Sequence, residues 1–181
     1  MSQHDPLSGQ PGRHFLFVPG PTNIPERVLR AMDRPMEDHR SSAFPKLTQG
    51  LLRDLRTIFH TVDGQPFIFP ATGSGGWEAA LVNTLSPGDR LLAVRNGQFS
   101  ALFINCAERH GMKVDVIDVE WGEGVPPGQV EKALKADSGK EIKGVLVVHN
   151  ETATGVTSDV AAVRRAMDAA EHPALLFVDG V

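Results

Sequence analysis

The sequence predicts an α/β fold, a mostly parallel sheet with helices on both faces. Two observations carry this. After residue 60, short apolar runs alternate with amphipathic stretches, a βαβα rhythm. The runs at 144–148 and 175–178 are almost continuously apolar, as strands covered on both faces should be.

Residues 1–14 are polar and rich in Gly and Pro, and read as a flexible N-terminal arm. Residues 15–60 form an N-terminal segment with helices. An apolar run at 15–18 breaks at Pro19-Gly20-Pro21, and a helix is expected over 25–32, with proline in the first helical position. A second is expected from Pro45, because Leu47, Leu51, Leu55, Ile58 and Phe59 recur at helical spacing. The main domain then runs over 61–181. Strands are expected at 67–69, 91–94, 114–119, 144–148 and 175–178. Helices are expected at 75–85, 98–110, 129–136 and 159–171. The helix over 98–110 would turn Phe99, Leu102, Phe103 and Cys106 to one side, and the last helix would turn Val160, Val163, Met167 and Ala170 inward.

Composition narrows the class. The chain has 181 residues, enough for one sizeable core, and 41% hydrophobic with 22% charged residues is globular usage rather than disorder. A net charge of -4 without a basic block points away from nucleic acid and anionic membranes as partners. Seven histidines and one cysteine show no zinc-ligand spacing. Cys106 fits a helix's apolar face, so a core thiol is favoured over a nucleophile. The N-terminus lacks a basic region followed by an apolar one, and no apolar run approaches the roughly 20 residues of a membrane span. A cytoplasmic protein is expected.

Ligands of open α/β sheets bind beyond the carboxyl ends of the strands. The first such end reads Pro70-Ala71-Thr72-Gly73-Ser74-Gly75-Gly76-Trp77. Helix-opening N–H groups and two hydroxyls there could cup a phosphate, although a tight turn needing glycine gives the same pattern. After the next strand, Phe99 could stack on a flat ring or simply pack in the core. The stretch His149-Asn150-Glu151-Thr152-Ala153-Thr154-Gly155 is unusually polar for a turn. Asp179 follows four apolar residues directly, and a carboxylate there wants a metal, a ribose hydroxyl or a protonated ring nitrogen, unless it is solvated. A phosphorylated aromatic cation, such as pyridoxal phosphate, fits the whole set.

Five stretches then carry a resemblance: 17–25 (FVPGPTNIP), 37–41 (EDHRS), 70–81 (PATGSGGWEAAL), 149–156 (HNETATGV) and 177–181 (FVDGV). Together they resemble the class V pyridoxal-phosphate aminotransferases, nearest to the serine–glyoxylate branch. The resemblance implies the large domain of fold type I, a homodimer, and transfer of an amino group from L-serine or alanine to glyoxylate. It implies that Thr72, Gly73 and Ser74 hold the phosphate, Phe99 stacks on the pyridine ring, Thr152 bonds the ring hydroxyl and Asp179 pairs with the ring nitrogen. Pro21 and Thr22 would border the pocket for the amino-acid and 2-oxo-acid substrates, while His39 and Arg40 read as surface residues. The Schiff-base lysine, an arginine for the substrate carboxylate and the small domain would all follow Val181, leaving this chain a truncated large domain that is inactive alone. An alanine–glyoxylate or cysteine-desulfurase-like relative is the alternative within the class. Outside it stands a non-catalytic phosphate- or nucleotide-binding module.

Overall fold

The computed structural model describes residues 15–181, so the expected arm at 1–14 lies outside the described residues. The chain divides into two compact units, Met1–Phe67 and Ile68–Val181.

The first unit carries α1 (Glu26–Met32) and α2 (Ala43–Ile58). Pro25 sits just before α1, where its missing N–H costs nothing, and the salt bridge Arg30–Glu26 (3.1 Å) runs along the helix. The Asn23 side-chain oxygen accepts the Leu16 N–H at 2.6 Å and closes the segment around the cis Gly20–Pro21 bond. The apolar stripe expected on α2 is present in sequence, but no α2 residue is buried. His39 and Arg40 are exposed, as expected.

The second unit opens with α3 (Gly73–Thr84) and continues β1 (Arg90–Arg95), α4 (Gln98–Arg109), β2 (Lys113–Asp118), α5 (Pro127–Ala136) and β3 (Ile142–Val148). A two-residue hairpin follows, β4 (Asn150–Glu151) with β5 (Val156–Thr157), then α6 (Val160–Ala169) and β6 (Leu175–Asp179). The sheet order is β2-β1-β3-β6 and every pairing is parallel. Helices cover both faces, as the rhythm predicted. Alternation along the strands divides the core: Leu92, Val94, Val145 and Val147 face α5 and α6, with Val130, Val163 and Met167. Leu91, Ala93, Leu146 and Val148 face the other way, with Leu81 of α3 and Phe103 of α4.

Two expectations need correction. Residues 67–69 lie outside all four strands of the sheet. The buried face of α4 is Ser100, Phe103, Ile104 and Ala107, whereas Phe99 and Leu102 are exposed. A helix packed on a sheet buries one stripe of its surface, and the apolar residues of α4 are spread more widely than that stripe. Cys106 is half-buried and packs against this core, as a core thiol should; burial first, then the Glu78 carboxylate, pushes its thiol up, so it stays protonated at neutral pH.

Gly144 in β3 is required by close packing: a Cβ there would lie 2.5 Å from the Phe177 ring. Gly144→Ala should destabilise the fold by about 1–3 kcal/mol through overpacking, read as a lower urea midpoint with unchanged slope.

At the amino end of the sheet, a cleft of about 500 Å³ is lined by Arg90, Asp115, Asp137 and Glu141. Asp137 accepts the Ile142 N–H at 2.8 Å and lies 3.2 Å from Nε2 of the buried His172, whose Nδ1 accepts the Ala174 N–H. Desolvation raises the Asp137 pKa, but the N–H groups of Ile142 and Glu141 and the His172 ring outweigh it and hold the carboxyl below its ordinary value. Its stabilising contribution is therefore complete above the unfolded carboxyl range and is lost as pH falls through the lower folded value. Asp137→Ala should cost about 1–3 kcal/mol by stranding two buried donors. Melting curves at pH 7 and pH 3 should show less acid sensitivity in the variant than in the wild type.

No helix among the described residues is long and apolar enough to cross a membrane.

Candidate active site

The chain leaves β1 for β2 on one side and returns to place β3 on the other. The carboxyl ends of β1 and β3 therefore flank a topological switch point, where open α/β sheets form a ligand crevice. Phe99 follows β1, Thr152 follows β3, and Asp179 ends β6, the next strand along.

Helix α3 begins at Gly73, with Thr72 in the capping position and extended backbone. The Thr72 hydroxyl makes no cap to its own helix, and Thr72, Gly73 and Ser74 are all exposed. First-turn N–H groups, the positive end of the helix dipole and two free-facing side-chain hydroxyls make this end suited to an anion. Gly75 is held close to the preceding chain, since a Cβ there would lie 2.7 Å from that of Ala71.

Trp77, one turn into α3, connects that helix to the acid. Its indole Nε1 donates to Oδ2 of Asp179 at 3.1 Å, and its ring stacks on Phe103 with centroids 5.0 Å apart. The other oxygen of Asp179 accepts the Val181 N–H at 3.0 Å. Asp179 is half-buried and forms no ion pair with another described residue. Its carboxylate is thus aligned by two neutral N–H donors and has no described cation as a partner. Among the described residues, no group of three His, Cys, Asp or Glu side chains gathers for a metal ion.

One residue that the sequence reading did not single out dominates the polar loop. Glu151 is fully buried, and its carboxylate accepts N–H groups from Phe99 (3.2 Å), Ser100 (2.9 Å) and Ala153 (3.2 Å). It caps α4 from a distant part of the chain, at the end where the helix dipole favours an anion. The signal in the sequence was Gly97 just before α4: a Cβ there would overlap the Glu151 side chain. Ser100 completes the junction, its hydroxyl accepting the N–H groups of Asn96 and Gly97 (3.0 Å each) and donating to the Gly97 carbonyl.

Thus Thr72, Gly73, Ser74, Phe99, Thr152 and Asp179 all belong to the second unit; Phe99, Thr152 and Asp179 follow or end neighbouring strands at the carboxyl end of its sheet, and α3 reaches Asp179 through Trp77. Pro21 and Thr22 belong to the first unit, where Thr22 lines a cleft of about 490 Å³ with Phe15, Asn23, Ile24 and Leu29.

The donor set has a distinct polarity, anion-accepting at the start of α3 and anionic at Asp179. That is complementary to a molecule with a phosphate and a cationic ring, and the exposed Phe99 and Thr152, after the neighbouring strands, offer an aromatic face and a hydroxyl.

Comparison with known proteins agrees. The family model "Aminotransferase class-V" matches residues 14–181. The chain is 60% identical to the serine–glyoxylate aminotransferase of Methylorubrum extorquens over 95% of its own length and 43% of that protein's. It is 56% identical to the L-aspartate–glyoxylate aminotransferase of Paracoccus denitrificans, over 92% and 42% respectively. Among solved structures, the ureidoglycine–glyoxylate aminotransferase of Bacillus subtilis superposes with a TM-score of 0.83 at 32% identity, covering 91% of this chain and 41% of that one. The chain therefore belongs to the class-V aminotransferase family, and it spans about two fifths of the length of the curated relatives it matches.

Proposed function

We propose, with that membership as the premise, that this chain supplies one wall of the pyridoxal phosphate site of an aminotransferase that moves an amino group from L-serine to glyoxylate. One observation supports the cofactor reading most strongly. Asp179, half-buried and aligned by Trp77, faces no described cation, while the same Trp77 sits one turn from an open, anion-accepting helix start. Bound pyridoxal phosphate would serve as an electron sink for the substrate's α-carbon.

Each residue then has a task. The N–H groups of α3, with the Thr72 and Ser74 hydroxyls, bind the phosphate. Phe99 covers one ring face and keeps water from it. Thr152 donates to the ring hydroxyl. Asp179 holds a proton on the ring nitrogen, and each unit of pKa so gained is about 1.4 kcal/mol. Pro21 and Thr22 border the substrate pocket in this reading. In this reading the lysine that attaches the cofactor and shuttles the proton, the carboxylate-binding arginine and the small domain belong to the part of the family's length that this chain does not cover. In the same reading the enzyme is a cytoplasmic homodimer whose large domain begins near residue 61.

The 56% identity to the L-aspartate–glyoxylate enzyme favours one second reading, with aspartate as donor. Assays of the longest natural polypeptide containing this chain, with serine, alanine and aspartate each against glyoxylate, decide between donors. Turnover with none of them, together with unaltered phosphate binding, would instead indicate a non-catalytic phosphate-binding module.

A further inference from the structure

We infer that Glu151 is a positioning residue that fixes the spacing between Phe99 and Thr152; the inference rests on the cofactor reading above. Glu151 binds both sides of the switch point. Through its side chain it holds the first turn of α4, the turn that carries Phe99. Through its backbone it closes the loop that carries Thr152: its carbonyl accepts the N–H groups of Gly155 (2.8 Å) and Thr154 (3.2 Å). Its Oε1 also accepts the Ala153 N–H, locking the peptide next to Thr152 onto the same carboxylate.

A simpler cap would suffice to stabilise α4 alone. Serine, threonine or aspartate at position 97 could cap locally. The chain instead has glycine there, and the space its missing Cβ leaves is filled by the Glu151 side chain. The cap therefore comes from a residue 51 positions away from Ser100, on the one loop that also carries Thr152. A fully buried carboxylate satisfied by three N–H donors does not rotate between partners, so the two ring contacts move as one body. Precise holding of binding groups is what keeps a bound ring in productive geometry.

The test uses Glu151→Gln, which keeps size but turns an amide N–H toward N–H groups, and Thr152→Ala, singly and combined, in the longest natural polypeptide. Pyridoxal phosphate affinity is measured by equilibrium dialysis, and amide hydrogen exchange at Phe99 and Ser100 is measured without cofactor. We expect the Gln variant to bind at least about 10-fold more weakly, a change of about 1.4 kcal/mol. Its Phe99 and Ser100 amides should exchange faster. Thr152→Ala should weaken binding in the wild type but add little in the Gln background, because an unpositioned hydroxyl is already lost. A purely structural cap would leave the Thr152 effect additive. Full additivity, or unchanged affinity in the Gln variant, overturns the inference while the cofactor reading stands. Failure of the wild type to bind pyridoxal phosphate overturns both. If the Gln variant does not fold, Glu151→Asp, one methylene short with its charge intact, carries the same cycle.

Discussion

Asp179→Asn should slow amino transfer by about 10- to 1,000-fold in the polypeptide that contains this chain. A neighbouring carboxylate shifts the proton affinity of a cationic group by about 1–3 units, or about 1.4–4 kcal/mol. If that difference is carried fully into the transition state, the rate falls by the stated factor. Asparagine's single oxygen can still accept the Trp77 N–H, and the exposed Val181 N–H that it gives up can turn to water, so folding should be almost unchanged. The check is a steady-state comparison of kcat, with melting temperature as the control. An unchanged kcat would remove Asp179 from the chemistry and leave its apolar setting unexplained.

Phe103→Ala should give the largest loss of stability, about 3–5 kcal/mol for a buried aromatic truncated to a methyl group. Phe103 is 3% exposed, packs in the core beneath α3 and α4, and carries the Trp77 ring. Its loss should also loosen the indole that aligns Asp179, so cofactor affinity should fall as well. Chemical denaturation measures the first effect and cofactor titration at a temperature where the variant is folded measures the second. Phe103→Leu, which fills much of the volume but offers no ring to stack on, should recover most of the stability and less of the affinity.

The architecture was legible because the second unit obeys local rules. Covered strands are apolar throughout, and α6 buries Val163, Ala166 and Met167 much as its spacing predicts. What failed, failed where partners are distant. Periodicity grouped Phe99 and Leu102 with Phe103, but it cannot tell which part of a wide apolar surface meets the sheet. It also had no means of placing Ser100 inside, since that burial depends on three hydrogen bonds to Asn96 and Gly97. Residues 67–69 have strand composition yet lie outside the four strands of the sheet, since membership of a sheet is set by neighbours rather than by a segment. The hairpin of β4 and β5 has two residues in each arm, too few to leave a pattern. Glu151 reads in sequence as one member of a polar loop; its bond to a helix 51 residues earlier has no local sign except the glycine that makes room for it.

The strand order also sets a timetable. β1 meets β2 after a short excursion, Arg90 pairing with Lys113, but its other neighbour begins at Ile142 and the last strand only at Leu175. During synthesis at about 5–20 residues per second, β1 would wait several seconds with one edge bare before β3 is translated. Parallel pairings across such separations close slowly, because the chain entropy is lost before the contacts form. A nascent chain of this design should therefore engage ribosome-associated chaperones while β1 and β2 stand alone, and should release them once β3 emerges.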